Sequence, residues 1–494
     1  MWGGTLDKNM ASPATGMDFD VEPGKKVPGT EEVDLSTAKG LKWATKLGSQ
    51  SYGTPTIANG RIYVGTNNES PRDEANIGDR GVIYCFDEKT GEFLWQLASA
   101  KLGAGKVSDW EFLGMCSCPT IEGDRGYVIT NRCEVVCFDV KGMADGNQGM
   151  TDEAGYKTGG SGSLDVQPHD ADILWVYDMR KELGVFPHNI ASSYPLVVDG
   201  KVFCVTSNGV DWSHLNIPAP AAPSLIALDA KTGTYLGEQD SSPSERCLHC
   251  SWSSPGYAAL PDGGQVLFAA GDGWVYGLGT EAKLAEGEDP EDEFAIKLLP
   301  ELWRFDCNAP EYRNDPETGE PIKYATYEGP SECIGTPVFH DGLVYACIGQ
   351  DPEHGEGVGR LVAIDPNGRG DLSGKQVWEF KGLERSISTA SIADGICYLS
   401  DYSGRVFAVD AKTGEQYWEF DTKGHIWGST LAVDGKVLIA NEEGELYILS
   451  GGKDGGEEIG LIEFPGAIYS SPVIANGTMF VATQTHLYAF GKTE

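Results

Sequence analysis

Long apolar runs are missing from this 494-residue chain. None approaches the ~18 residues that a helix needs to cross a bilayer, so no transmembrane segment is expected. Positive charge is scarce: 37 Lys and Arg stand against 74 Asp and Glu, a formal net charge of −37. Phosphate backbones and anionic membranes recruit positive surface, so this balance argues against a nucleic-acid partner. It suits a solvated acidic surface, a salty setting or a cationic partner. No two of the twelve cysteines are adjacent. A phosphate-binding loop is absent too: "GGKDGG" lacks the spacing and the following Ser or Thr, and neither it nor "GEGVG" opens a helix. No long amphipathic helical period occurs, and no Ser/His/Asp or paired-carboxylate set can be read from the pattern.

What is present is repetition. "CFDEKTGEFLWQL" at 85–97, "ALDAKTGTYLGEQ" at 227–239 and "AVDAKTGEQYWEF" at 408–420 are one phrase written three times. Upstream of such phrases lies a second repeated unit: a stretch of small residues, often with Pro, then a strand, a tight turn and another strand. It starts at 53, 117, 193, 253, 335, 388, 428 and 470, as in "GTPTIANGRIYVGT" and "SSPVIANGTMFVAT". Asn-Gly and Asp-Gly supply the positive φ angles of two-residue hairpins, and the flanking Val, Ile, Tyr and Phe are strand formers. Each unit therefore reads as a four-stranded antiparallel meander, and eight of them predict an all-β, eight-bladed propeller.

The eighth unit stops at its third strand, "HLYAFGKTE", while an unattached "GLKWATKL" at 40–47 has the look of a fourth strand. Pairing the two closes the ring and removes an open sheet edge. The expected organisation is a leader at 1–39 packed over the surface, then one propeller domain at 40–494.

Ala408, Asp410, Gly414 and Trp418 spell Ala-x-Asp-x-x-x-Gly-x-x-x-Trp. Cys85, Asp87, Gly91 and Trp95 repeat it with Cys for Ala, and Gly237 replaces the Trp in the third blade. This is the tryptophan-docking pattern, and the chain resembles the eight-bladed quinoprotein (pyrroloquinoline quinone, PQQ) propellers. "TNRCEVVCFDVKGMADG" and "GQDPEHGEGVGR" look like the PQQ-like propeller proteins of planctomycete-type bacteria. The resemblance implies fold more than activity. True dehydrogenases of that family hold PQQ between a Trp and a vicinal Cys–Cys disulfide, with calcium and a carboxylate base. This chain lacks the vicinal pair. Trp252 and Trp427 are the candidate rings for such a cofactor, and Arg385 the candidate cation.

Strand order places the inter-blade loops and the loops between second and third strands on one rim. Long insertions gather there, at 67–80, 98–114, 208–223, 308–333 and 350–358, and loops on a rigid scaffold tend to carry function. Cys116, Cys118, Cys247, His249, Cys250 and Cys333 all lie where the chain approaches a first strand on this rim, as do His188 and His425. Thiolates and imidazoles converging there would suit copper(I), zinc or iron; a local Cys247–Cys250 disulfide with free thiols elsewhere is the competing reading. The expected role is binding or scaffolding through the rim, toward a protein or glycan. The setting would be the periplasm or the exterior of a bacterium, after removal of a signal peptide. The alternative is a redox protein or quinoprotein-type dehydrogenase using PQQ with calcium or a thiolate-bound transition metal.

Overall fold

The computed structural model describes residues 1–30, 32–240, 242–292 and 295–492. Eight antiparallel sheets form a ring. Blade 1 comprises Thr56–Ala58, Arg61–Asn67, Arg80–Asp87 and Phe93–Ala100, and blades 2 to 7 come after it in chain order. Blade 8 takes three strands from the C-terminal region, and its outermost strand is Leu41–Lys46, paired antiparallel to His486–Phe490. The ring thus closes as the sequence predicts.

The turn chemistry is the one the dipeptides demand. Asn59-Gly60, Asp199-Gly200, Asp341-Gly342, Asp394-Gly395, Asp434-Gly435 and Asn476-Gly477 all carry positive φ at both positions, which matches the twist of the flanking strands. The Lys-Thr-Gly phrase is explained by its Asp. Asp87 Oδ1 accepts from the Lys89 and Thr90 amides, and Asp410 Oδ1 accepts from the Lys412 and Thr413 amides.

A tryptophan from the preceding blade then packs over the glycine of this turn. Trp43 lies on Gly91, Trp175 on Gly233 and Trp378 on Gly414, where a Cβ would come within 2.5–2.6 Å of each ring. Indole N–H groups complete the seams: Trp43 donates to the Glu88 carbonyl (3.2 Å), Trp95 to Val140 (3.1 Å), Trp175 to Ala230 (3.3 Å), Trp378 to Ala411 (3.0 Å) and Trp418 to Gly452 (2.8 Å). Trp95 is buried and Trp418 half-buried.

Two positions break the pattern. Gly237 pairs with Ala227 where other blades have Trp, and Gly460 pairs with Ile448. Beside Gly237 the space is taken by Ala282 and Lys297, part of a hairpin of Lys283–Leu284 and Lys297–Leu298 that adds to blade 3. Trp303 of blade 4 is fully buried and bonds inside its own blade, to Gln265 Oε1 (2.7 Å).

An inner ring also ties the blades together. The Tyr194 amide donates to Ser254 Oγ, Ser254 to Thr336 Oγ1, Thr336 to Thr389 Oγ1, Thr389 to Ser429 Oγ, Ser429 to Ser471 Oγ, and Ser471 to Thr54 Oγ1. The Thr54 amide donates back to the Tyr194 hydroxyl (2.7 Å), which closes the circuit from blade 1 to blade 3 past blade 2. This closed circuit is why small hydroxyl residues recur at the start of first strands: each satisfies a buried amide of the neighbouring blade.

The first part of the leader departs from the expected surface position. Residues 6–12 run along the first strands of four consecutive blades, inside the channel: Leu6 and Asp7 carbonyls accept from Tyr257 and Phe339, the Met10 amide donates to Ala390, and Ala11–Ser12 pairs parallel to Leu431–Val433. Lys8 is fully buried and Met10 nearly so. The inward edges of first strands are otherwise unpaired, so a chain that pairs with them gains backbone bonds that a surface leader would not. No helix among the described residues is long and apolar enough to cross a membrane.

Candidate functional site at the channel mouth

The elaborated rim surrounds a cavity of about 410 Å³ at the mouth of the channel. Trp2 contributes to it and packs against Tyr194 at 5.1 Å between ring centroids. Trp252 stands on the same side. Opposite, Tyr52 stacks on Tyr469 (4.7 Å) and both meet Trp427 (5.7 and 5.2 Å). The indole N–H of Trp252 is consumed by the Ile190 carbonyl (2.8 Å), and that of Trp427 by Glu442 Oε2 (2.8 Å). Neither indole N–H is therefore free to bond a ligand in the cavity. Asp351 and Glu353 are the charged residues of the lining, which contains no Lys or Arg.

Trp252 and Trp427, singled out from the sequence, thus share this cavity, and Cys116 also lines it. Arg385 does not. Its guanidinium is buried and fully engaged, with Ser331 Oγ (3.0 Å), the Glu356 carbonyl (2.7 Å) and the Thr326 carbonyl.

All twelve cysteines are free. Cys118 Sγ accepts from the Gly65 amide (3.1 Å). Cys250 donates to the Ser207 carbonyl (3.1 Å) and Cys247 toward that of Asn208 (3.9 Å). Cys333 neighbours Cys307. Burial pushes the thiols of Cys116 and Cys118 up to about 12, and those of Cys247 and Cys250 well above their ordinary value. The sequence-predicted thiols therefore stand as protonated groups, buried except for Cys116 at the cavity.

His249 has different company. Donor nitrogens of His188, His214 and His249 all lie within 4.8 Å of one another, the one such group of His, Cys, Asp or Glu among the described residues. His354 adds a fourth imidazole, its ring 4.9 Å from His249 and 5.2 Å from His214. Two second-to-third-strand loops and three first-strand approaches, from blades 3, 4 and 5, bring these groups and Glu332 together. Burial, reinforced for His188 and His354 by the neighbouring imidazoles, lowers His188 to about 3 and His249 and His354 to about 4, so all three are neutral at pH 7. His188 and His249 were visible as rim residues. His214 and His354 were not singled out, although "DWSH" and "DPEH" fall in two of the long rim insertions. His425 stands apart, stacked on Tyr402 and bonded to Glu442.

Comparison with known proteins agrees with this architecture. A family profile described as "Outer membrane protein assembly factor BamB" matches residues 32–148, 75–282 and 357–456. The chain belongs to this family of PQQ-like propellers. It is 24% identical over 454 residues to the quinoprotein alcohol dehydrogenase PedH of Pseudomonas putida, covering 81% of this chain and 64% of that protein. It is 26% identical over 121 residues to BamB of Nitrosomonas eutropha, 24% of this chain and 29% of that one. The chain thus spans less than two thirds of these relatives' own length. Among solved structures, BamB from Moraxella catarrhalis superposes with a TM-score of 0.51 at 13% identity, over 92% of this chain and 98% of that one; that likeness is one of fold.

Proposed function

We propose that this PQQ-like propeller is a binding protein of the bacterial envelope, which holds a segment of a partner protein across its inter-blade rim and seats an aromatic or cationic side chain of that segment in the mouth cavity. The observation that carries the reading is the cavity's composition. Aromatic rings with their N–H groups already used favour rings and cations over hydrogen-bonding ligands, and Asp351 and Glu353 with a net charge of −37 favour positive charge. The matching family's name, an outer-membrane protein assembly factor, supports a protein partner and an envelope location. An anionic quinone is the poorer occupant: Arg385 is spent on carbonyls and Ser331, and the lining supplies two carboxylates and no cation.

The test uses extended peptides with alternating aromatic residues, of the kind outer-membrane strands supply, with and without flanking lysines. Saturable quenching of tryptophan fluorescence is expected, weakened at least about tenfold by Trp427→Ala, as for a buried aromatic anchor, in a variant that circular dichroism shows to be folded. Binding of oligosaccharides in place of peptides would redirect the reading to a glycan, and binding of neither would end it.

A further inference from the structure

The four imidazoles beside the cavity serve no purpose that the proposed binding role requires, and their geometry is unusual for a packed protein interior. His188 is held by its Nδ1, 2.7 Å from the Val210 carbonyl. With Nδ1–H donating to that carbonyl, the other ring nitrogen, Nε2, is left to present a lone pair. That nitrogen stands 3.2 Å from Nε2 of His214. Two imidazole nitrogens bound tetrahedrally to one zinc at ~2.0–2.1 Å lie about 3.3 Å apart, close to the spacing these rings already have.

Next to them, polar atoms are orphaned. Both ring nitrogens of His249 are buried without a hydrogen-bond partner, as are His354 Nδ1, Glu332 Oε1 and the Tyr324 hydroxyl. Burying one such group costs about 1–3 kcal/mol, and native interiors rarely tolerate several in one place unless water or an ion completes them. Glu332 Oε1 lies 3.5 Å from His249 Nδ1, the place of a carboxylate that orients a ligating histidine from behind. The other carboxylate oxygen, Oε2, is fixed by the Cys250 amide (2.9 Å).

We infer that His188, His214 and His249 form a mononuclear site for a divalent transition metal of imidazole preference, zinc or copper(II), with Glu332 as a positioning residue behind His249 and the neighbouring His354, its ring 4.9 Å from that of His249, as the nearest imidazole to the fourth position. This inference stands independently of the peptide ligand proposed for the cavity. These imidazoles are drawn from three blades, so the site joins the inter-blade approaches of blades 3 and 4 to the second-to-third-strand loops of blades 3 and 5. The nearby thiols of Cys247 and Cys250 stay outside it, bonded to backbone carbonyls.

Full-length protein stripped with a chelator and titrated with zinc, cobalt(II) or copper(II) provides the test. One equivalent should bind, with the visible bands of four-coordinate cobalt or, for copper, nitrogen hyperfine structure in the paramagnetic resonance spectrum; competition between zinc and copper distinguishes the two. Glu332→Gln should weaken binding about 10–100-fold and His214→Ala by more than that. His214 lies in a loop and is partly exposed, so its variant should fold, which circular dichroism checks. Retention of less than about a tenth of an equivalent by folded wild-type protein in excess metal, or equal affinity in wild type and His214→Ala, would overturn the assignment.

Discussion

Trp95 and Gly237 hold the same place in their blades, opposite Cys85 and Ala227, yet the seams they face are built by different means. At Trp95 one indole fills the gap to blade 2 and bonds the Val140 carbonyl. At Gly237 there is no ring, and the hairpin carrying Ala282 and Lys297 fills the space. In the following blade Trp303 turns its N–H to Gln265 of its own sheet. Two of the three seams that depart from the rule, those at Gly237 and Trp303, border blades 3, 4 and 5, the same blades that bring His188, His214, His249, Glu332 and His354 together; the third, at Gly460, belongs to blade 7. Sealing a seam with one rigid ring is economical where a blade only has to hold its neighbour. The sector with the imidazole cluster uses inserted segments instead, which leaves its loops free to differ.

The largest expected effect lies on the regular side. Trp95→Ala and Trp43→Ala each remove a buried ring that no neighbour can replace, and each should cost about 3–5 kcal/mol. Chemical denaturation followed by circular dichroism measures this. A cost below about 1 kcal/mol for Trp95→Ala would mean that the hydroxyl circuit around the channel carries the ring alone, and the contrast between the two seams would lose its energetic content.

A second effect reads the inner wall of the irregular sector. Lys8 lies where residues 6 and 7 bond the first strands of blades 4 and 5, fully buried, with no hydrogen-bond partner for its ammonium. Burial lowers its pKa from 10.5 to about 7. The unfolded chain therefore holds this proton more tightly than the folded one between pH 7 and 10.5, so stability should rise with pH across that window. Lys8→Met keeps the stem and removes the charge. It should stabilise the protein by about 2–4 kcal/mol at pH 7, each pKa unit being worth about 1.4 kcal/mol, and the gain should shrink toward zero near pH 10.5. A pH-independent difference between variant and wild type would show that Lys8 is neutral or solvated throughout.

How far the sequence reveals all this depends on the range of the interaction. Strands, hairpins and the ring closure by residues 40–47 follow from local signals: period-two apolar residues, Asn-Gly and Asp-Gly turns, and one unpaired Trp strand. The mouth was legible in part, because Trp252 and Trp427 stand at first-strand approaches whose direction the topology fixes. Arg385 shares such an approach but turns to carbonyls of neighbouring loops, and nothing local signals that. His214 and His354 sit in irregular loops, where the backbone path is set by contacts far along the chain. The leader's route through the channel is of the same kind, since only the assembled ring creates the edges it pairs with.

The smallest effect tests whether the hairpin at the third seam truly stands in for a ring. A Cβ at position 237 would lie 2.4 Å from the Ala282 Cβ and 2.9 Å from the Lys297 carbonyl oxygen, well inside contact distance. If the hairpin is packed there as firmly as an indole, Gly237→Ala must push either the hairpin or blade 4 aside, at about 1–3 kcal/mol. The hairpin should yield first, because it is tied to blade 3 through few bonds, among them that from the Leu299 amide to the Glu238 carbonyl (2.7 Å), whereas blade 4 is anchored on both sides by the hydroxyl circuit. Limited proteolysis should therefore show faster cleavage within residues 285–292 in the variant while the rest of the propeller stays resistant. Unchanged stability together with an unchanged cleavage rate would mean that the third seam is loosely filled, and that Gly237 marks a gap in the ring where we read a substitute seal.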